Sequence, residues 1–244
     1  MKTNYPEGRN FISDRMRLEA DFSKSDQNME IPMPSPCLDY NKPCDILLSE
    51  VKSINLDLTA LIENRESLRD YSISPAPKEA LSAILKFSQG IRRRMGVHYL
   101  RNVPSAGNRH ALECYVLVNN VENIKSGVYR YHPIEHGLVK ISKILDKRDI
   151  VKAVMGQSFV AKAPFVLAYT AVPYRMEWRY IETAHRVILL DAGHACQNAI
   201  LAAEAFDMGV CPIAAYNQEL MDALLQLDGD TELTIYMAAF GVKK

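Results

Sequence analysis

The sequence predicts an α+β fold, in which helices and strands are mixed without regular alternation. Three predicted strands follow one another directly, at residues 115–118, 128–131 and 138–141, and each carries a run of apolar side chains. A helical pattern then extends over residues 180–208 and would measure roughly 40 Å if unbroken. Consecutive strands and one long helix do not fit a repeating strand–helix unit, so we favour α+β over α/β.

The composition limits the classes of protein that this chain can belong to. Its 244 residues carry a formal net charge of +0, and 48% of them are hydrophobic. That length suffices for one substantial core, built alone or with a second chain. The balanced charge gives no reason to expect nucleic acid or an anionic membrane surface as a partner.

Cysteine usage and the N-terminal residues indicate a cytoplasmic protein. The five cysteines have no repeated spacing, so we interpret them as reduced core residues. The first residues lack the apolar segment of a signal peptide. No apolar run is long and uncharged enough to predict a membrane span.

The first half of the chain is predicted to hold an arm and two helices. Residues 1–45 are polar and interrupted by prolines, so we expect an extended arm, laid over a neighbouring surface or partly disordered. One domain is expected at residues 46–244. Apolar spacing predicts a helix starting near residue 55 and another at 78–87 that Gly90 ends. The arginines at 92–94 indicate a solvated loop or a site for an acidic substrate.

The second half supplies the remaining predicted elements. A short helix at 149–155 precedes a continuously apolar strand at 165–172, which should be covered on both faces. The long helix is apolar nearly all round, as expected inside a large core or a subunit interface. Residues 209–216 are predicted to be a linker, Asn217 to cap a helix, and residues 233–240 to form the last strand.

Two kinds of site can be argued against from motifs. His132 and His136 have the spacing of helical metal ligands, but Pro133 and Gly137 disfavour a helix there, so we predict no metal site. No G-x-G-x-x-G or Walker-type loop occurs in the sequence. A dinucleotide-binding fold or an NTPase therefore has no motif support.

Two short runs carry the candidate binding residues. One is a turn ahead of a buried strand, whose short polar side chains and bared amides suit a planar, polar-edged ligand such as a flavin ring; it consists of Pro104, Ser105, Ala106, Gly107 and Asn108. The other holds two guanidiniums and a hydroxyl within five residues, at Arg65, Ser67 and Arg69. Guanidinium forks match phosphate oxygens, although such a pair is also common on solvated surfaces.

Taken together, the order of three runs resembles the FMN-dependent nitroreductase superfamily. The runs are Arg65-Glu66-Ser67-Leu68-Arg69-Asp70-Tyr71, Pro104-Ser105-Ala106-Gly107-Asn108-Arg109-His110 and Asp191-Ala192-Gly193-His194-Ala195-Cys196-Gln197-Asn198. Residues 127–133 and 225–229 further resemble the SagB-type, or azoline-dehydrogenase, branch of that superfamily.

The resemblance implies a nitroreductase-like fold, with a mixed central sheet flanked by helices. It also implies a homodimer with the long helix at its interface and two FMN sites there. In those sites Arg65, Ser67 and Arg69 hold the phosphate and ribityl chain. The loop at residues 104–108 approaches the flavin from the partner chain, chiefly through Ser105, Gly107 and Asn108. Ile213, Ala214 and Ala215 present backbone amides near the reactive flavin nitrogen, and Lys243 reaches the phosphate.

The resemblance further implies an FMN-dependent oxidoreductase that converts thiazoline or oxazoline rings of a modified peptide to azoles, with a cyclodehydratase complex as partner. Where the branch has a Lys-Tyr pair, this chain has Arg179-Tyr180. Arginine stays protonated, so Tyr180 is the candidate proton acceptor and Arg179 would steady charge or orient it. The alternatives are an NAD(P)H-dependent nitro or quinone reductase and a non-catalytic flavin-binding scaffold subunit.

Overall fold

A computed structural model describes residues 6–13, 15–38, 43–51, 54, 56–143 and 146–244. The described strands are β1 (Ile46–Leu47), β2 (Ile91–Met95), β3 (His98–Arg101), β4 (Leu112–Val118), β5 (Gly127–His132), β6 (Gly137–Ser142), β7 (Phe165–Ala171), β8 (Met208–Ile213) and β9 (Leu233–Val242). The described helices are α1 (Pro6–Ile12), α2 (Arg15–Glu19), α3 (Leu58–Asn64), α4 (Lys78–Gln89), α5 (Lys147–Ala153), α6 (Ser158–Lys162), α7 (Tyr174–Tyr180), α8 (Ala184–Glu204) and α9 (Gln218–Leu225).

The central element is a seven-stranded sheet in the order β1-β6-β5-β4-β7-β9-β8. Neighbouring strands are antiparallel, and a parallel bridge from Ser67 to Val210 adds one extended segment outside β8. Helices α4 and α8 cover one face, while α5, α6 and α9 cover the other. This architecture confirms the predicted α+β class.

Strands β4 and β7 form the centre of the core. Every residue of both strands is buried, because helices pack on the two faces of the sheet. The continuous apolar run predicted for residues 165–172 is therefore confirmed as a strand that is covered on both sides. The signals at helix ends are also confirmed: Gly90 caps the C-terminus of α4, and Asn217 Oδ1 accepts the amide of Leu220 at 2.9 Å to cap α9.

The long helix predicted for residues 180–208 is broken near its start, so that prediction was wrong at its N-terminal end. Helix α7 stops at Tyr180, and Ile181 has φ 45°, a conformation that is rare for a β-branched residue. A 3₁₀ turn over Ile181–Thr183 leads into α8, whose 21 residues measure about 31 Å. The apolar pattern continues through the break, so only the backbone conformation at Ile181 reveals it.

Two segments predicted as loops are strands. The linker expected at residues 209–216 begins as β8, because residues 208–213 pair antiparallel with residues 237–242 of β9. The arginine run is also no loop: β2 and β3 pair as a hairpin around Gly96, whose φ of 59° suits a tight turn. Arg101 is the last residue of β3 and is buried. Its guanidinium donates to the carbonyl oxygen of Pro36 at 2.8 Å.

The described part of the N-terminal arm packs on α7 of its own chain. The indole of Trp178 donates to the carbonyl of Ile31 at 2.9 Å, and the amide of Gln27 donates to the carbonyl of Trp178 at 2.9 Å. Tyr174 Oη donates to Asp26 at 2.6 Å. The described part of the arm is not wholly extended, because it includes α1 and α2, and its contacts brace the helix that ends in Arg179 and Tyr180. Residues 1–5, 14 and 39–42 of the predicted arm lie outside the described residues.

None of the helices within the described ranges is long and apolar enough to cross a membrane.

Candidate functional site

The first group of candidate residues lies along the outer edge of β8. Helix α3 ends at Arg65, and the chain then runs extended beside β8. Ser67 forms the parallel bridge to Val210, and the amide of Leu68 donates to the carbonyl of Val210 at 3.1 Å. This pairing places Arg65 level with the start of β8 and Arg69 towards its end. The three residues therefore share one edge, as the sequence predicts for a single site.

The remaining residues of this group lie at the two ends of the same edge. The backbone amide of Lys243 donates to the carbonyl of Asp207 at 3.2 Å, just before β8 begins. Beyond the other end, Ala214 and Ala215 are exposed while Ile213 is buried. The amides of Ala214 and Ala215 have no acceptor among the described residues. The edge can therefore take a long ligand with an anion at one end and a polar-edged ring at the other.

Lys243 is less available to a phosphate than its position suggests. Its Nζ lies 2.6 Å from Glu204 Oε2, and the carboxylate side chain of Glu204 is only 3% exposed. The second oxygen of Glu204 has no partner within the described structure. A buried carboxylate already neutralises this ammonium, so Arg65 is the stronger candidate for holding an anion.

The second group of candidates is the loop at residues 104–108, which holds a strained backbone. Gly107, Asn108 and His110 have φ values of 56°, 57° and 51°. A non-glycine residue in this left-handed region costs about 1–3 kcal/mol, and such residues cluster at functional sites. The amide of His110 donates to Ser105 Oγ at 2.9 Å, and His110 Nε2 lies 2.7 Å from Asn108 Oδ1. These contacts hold the turn in one conformation.

Arg179 and Tyr180 lie directly against this loop. A Cβ atom added to Gly107 would stand 2.7 Å from Tyr180 Oη and 2.9 Å from Arg179 Cδ. The Arg179 guanidinium carbon also lies 5.5 Å from the centroid of the Tyr180 ring. The positive φ of Gly107 favours glycine here, and the close contact joins residues some seventy positions apart in the sequence. The structure thus brings the predicted catalytic pair to the predicted flavin-facing loop.

Asp191 of α8 lies against the loop at residues 104–108, next to the Ser105 side chain and the Ala106 amide. The sequence did not assign this role to Asp191. Burial raises the pKa of its carboxyl, while the Ser105 side chain and the Ala106 amide act to lower it. Asp191 Oδ2 and Gln89 Nε2 have no partner within the described residues, and both residues line an internal cavity of about 10 Å³. This volume is close to the minimum that a cavity needs to hold one water molecule. A carboxylate within an apolar helix was the signal that could have found Asp191.

His110 is the other residue that sequence reasoning left without a role. Burial, and to a lesser degree the nearby Arg101, Arg109 and Arg175, lowers its pKa to about 3. Its Nε2 also lies 2.8 Å from the carbonyl oxygen of Tyr99, and both neighbours of this nitrogen are acceptors. The neutral ring therefore carries its proton on Nε2 and links the loop to β3.

The low pKa of His110 should make folding stability depend on pH. The unfolded chain protonates this ring near pH 6.5, before the folded chain does, so acidification favours unfolding. Between pH 6.5 and 4.5, we expect the parent protein to lose up to about 1.4 kcal/mol per pH unit more than His110→Gln does. Urea unfolding at several pH values measures this. The exposed His98→Gln should follow the parent, and equal losses in all three proteins would contradict the assignment.

The two groups of candidates are separated within one chain. Asp191 lies beside the loop, whereas Glu204 binds Lys243 at the β8 edge, and these two residues are thirteen positions apart, or roughly 20 Å along α8. The structure therefore unites the residues within each group but does not bring the two groups together. The described residues contain no group of three His, Cys, Asp or Glu side chains that could hold a metal ion.

Comparison with known proteins identifies the family. A sequence model described as "Nitroreductase family" matches residues 62–242, most of the chain. The chain belongs to the nitroreductase family. Members of this family are oxidoreductases that generally use flavin cofactors. Arg65 and Arg69 beside β8 and the loop at residues 104–108 are the candidate residues for holding such a cofactor.

Two further similarities refine this membership. The nitroreductase-family chain is 32% identical to the protein named "Putative nitroreductase MJ1384" of Methanocaldococcus jannaschii over 181 residues, covering 74% of this chain and 89% of the relative. It is 30% identical over 154 residues to the trifolitoxin-processing protein TfxB of Rhizobium leguminosarum bv. trifolii. That alignment covers 61% of this chain but 41% of TfxB, so the match spans less than half of that relative.

The fold also matches a solved assembly. One chain of the E. coli microcin synthetase McbBCD complex, with truncated pro-MccB17 bound, superposes with a TM-score of 0.64 at 19% identity. The match covers 100% of this chain and 98% of that one. At this identity the similarity establishes the shared nitroreductase-like fold.

Proposed function

We propose that this chain is an FMN-dependent oxidoreductase that oxidises thiazoline or oxazoline rings of a modified peptide to azoles. The observation that carries the proposal is the contact of Tyr180 Oη and the Arg179 side chain with Gly107 in the flavin-facing loop. This contact supports the proposal because it holds a hydroxyl group and a permanent positive charge beside the loop that we propose to face the flavin.

The residues along β8 suit FMN. Arg65, Ser67 and Arg69 would hold the phosphate and the ribityl chain, while the free amides of Ala214 and Ala215 would face the ring's polar edge. When bound, the flavin supplies a hydride acceptor. The protein's part is to orient the cofactor and the substrate and to move the proton.

Tyr180 would handle that proton. Conversion of an azoline to an azole removes two hydrogens, one as hydride and one as a proton. Tyr180 is half-buried, so its oxygen can take the proton from the ring carbon while its own proton passes to solvent. Arg179 remains charged and steadies the negative charge that develops. Both side chains depend on the turn at Ile181, which ends α7 beside the loop.

Peptide substrates are suggested by the relatives. TfxB is named for trifolitoxin processing, and the McbBCD structure contains a truncated pro-MccB17. By analogy we propose a peptide substrate that a cyclodehydratase has already modified, and assembly with that enzyme.

A mutation at Tyr180 tests this function. Tyr180→Phe should abolish azole formation on a thiazoline peptide and leave FMN bound, because the ring remains and only the hydroxyl is lost. Arg179→Lys should raise the rate, since lysine, unlike arginine, can lose its proton and act as a base. Mass spectrometry detects the loss of two daltons per ring. Turnover by Tyr180→Phe at the parent's rate would show that the proton role is wrong.

We also propose that the complete site forms in a homodimer. The loop of one copy and the β8 edge of another could meet, whereas within one chain they are far apart. Between them, α8 exposes Leu189 and Leu190, which are 45% and 54% exposed, and Gly193 leaves open space around its Cα. Such a face accommodates a second helix closely.

Light scattering should therefore give twice the 27.5 kDa mass of the chain. Leu190→Glu should produce a monomer that no longer retains FMN, because it places a charge in the apolar contact. Met155→Glu, at a residue that is 68% exposed elsewhere, is the matched control. A monomeric parent protein with bound FMN would contradict the composite site.

A general NAD(P)H-dependent nitro or quinone reductase is the second candidate, because MJ1384, a nitroreductase by name, aligns over 89% of its length. Anaerobic addition of NADPH separates the candidates: rapid bleaching of the flavin absorbance supports the reductase. A bound flavin that neither NADPH nor a thiazoline peptide reduces would instead indicate a scaffold subunit.

A further inference from the structure

A cationic cavity lies beside the β8 edge but is formed mostly by other elements. Its volume is about 490 Å³, within the range of ligand pockets. Lys147 at the start of α5, Lys162 at the end of α6 and Arg69 line it, and the floor is formed by Asn119 and Asn120, which follow β4. In a chain without net charge, this clustering of cations is a local excess.

The cations of this cavity have no acidic partner among the described residues, while the nearby carboxylates are already engaged. Asp70, which also lines the cavity, accepts Lys244 Nζ at 2.5 Å. Asp146, next to Lys147 along the chain, lies 2.7 Å from Arg148. Lys147 and Lys162 are exposed, and nothing in the described structure neutralises them. The cavity therefore attracts an anion.

The floor of the cavity indicates what else the ligand should carry. The Asn119 side chain donates to the carbonyl of Ala163 at 3.2 Å, and that of Asn120 donates to the carbonyl of Ile73 at 3.2 Å. Their amide nitrogens are thus occupied, while their carbonyl oxygens have no donor among the described residues. These oxygens can accept N–H groups. Phosphate oxygens act mainly as acceptors, whereas a peptide supplies both carboxylates and N–H groups, so a peptide matches the cations and the amide oxygens together.

We propose that this cavity binds an acidic segment of a peptide, with Lys147 and Lys162 facing carboxylates and Asn119 and Asn120 facing backbone N–H groups. The inference rests on the proposed peptide substrate and names a second contact for it, away from the reacting ring. The segment docks beside the edge where FMN is proposed to bind, which raises the effective concentration of the azoline at the flavin.

Fluorescence anisotropy with the FMN-loaded protein tests the cavity without any turnover. The probe is a fluorescein-labelled octapeptide that alternates aspartate with glycine, and the matched probe replaces aspartate with asparagine. We expect saturable binding of the acidic probe alone, weakened by salt. Lys147→Glu and Lys162→Glu should each weaken it by about tenfold or more. Lys125→Glu, an exposed lysine outside the cavity, should leave it unchanged. Retained flavin absorbance shows that each variant is folded.

Three results would overturn the proposal: no saturable binding of the acidic probe, equal loss in Lys125→Glu, or loss only in Arg93→Glu of the exposed β2–β3 hairpin. Displacement by inorganic pyrophosphate at lower concentrations than by the unlabelled peptide would also overturn it, because it would identify a phosphate site. Azole formation on a thiazoline peptide that lacks acidic residues is measured separately. That assay tests the proposed function alone, so its failure and failure of the cavity are distinguishable.

Discussion

Replacing Arg65 by alanine should weaken FMN binding by about tenfold to a hundredfold. A hydrogen bond to a charged group contributes about 1.5–3 kcal/mol, and the half-buried Arg65 has no other partner among the described residues. Quenching of FMN fluorescence on titration of the apoprotein gives the dissociation constant. The purified variant should also lose its yellow colour on dialysis, and the extracted chromophore of the parent should be FMN.

Lys243→Ala is the informative comparison for Arg65. Its ammonium is already paired with Glu204 at 2.6 Å, so its removal should weaken FMN binding less than the change at Arg65 does. It should instead reduce stability, because the buried carboxylate loses its counter-charge. If the two variants affect FMN equally, Arg65 is not the main phosphate ligand. A parent protein that takes up no FMN would remove the cofactor assignment altogether.

Replacing Arg175 by methionine should lower the free energy of unfolding by up to about 3–5 kcal/mol, the usual cost of removing one partner of a buried pair. Arg175 Nη2 lies 2.7 Å from Glu113 Oε1, and their side chains are 3% and 1% exposed. The same guanidinium donates to the carbonyl of His110 at 3.2 Å, so its loss should also loosen the loop. Urea unfolding with linear extrapolation measures the change.

Two controls separate burial from charge. Arg148→Met breaks an equally short pair with Asp146 on the surface, at 2.7 Å, and should cost no more than about 1 kcal/mol. Adding Glu113→Gln to Arg175→Met should recover part of the loss, because the buried carboxylate that has lost Arg175 is then removed. Equal losses for the buried and the exposed pair would mean that burial does not set the cost.

Local signals in the sequence determined most of the secondary structure and the two candidate groups. The apolar run of β7 predicts a strand buried on both faces, and Asn217 and Gly90 mark helix ends through contacts within a few residues. Such features depend on neighbouring side chains and backbone, so periodicity and capping rules recover them. The arginines at 65 and 69 and the loop at 104–108 were likewise visible as short runs.

Only the tertiary structure decided the features that depend on distant partners. Residues 208–213 become a strand because β9 offers them a pairing edge, and the left-handed Ile181 ends α7 although the apolar pattern continues. The close contact between Gly107 and Tyr180 and the ion pair between Lys243 and Glu204 both join residues that are far apart in the sequence. Sequence periodicity indicates which face of a helix or strand is apolar. It does not indicate which other element packs on that face, because that depends on contacts between distant residues. Those contacts position the residues of the candidate site.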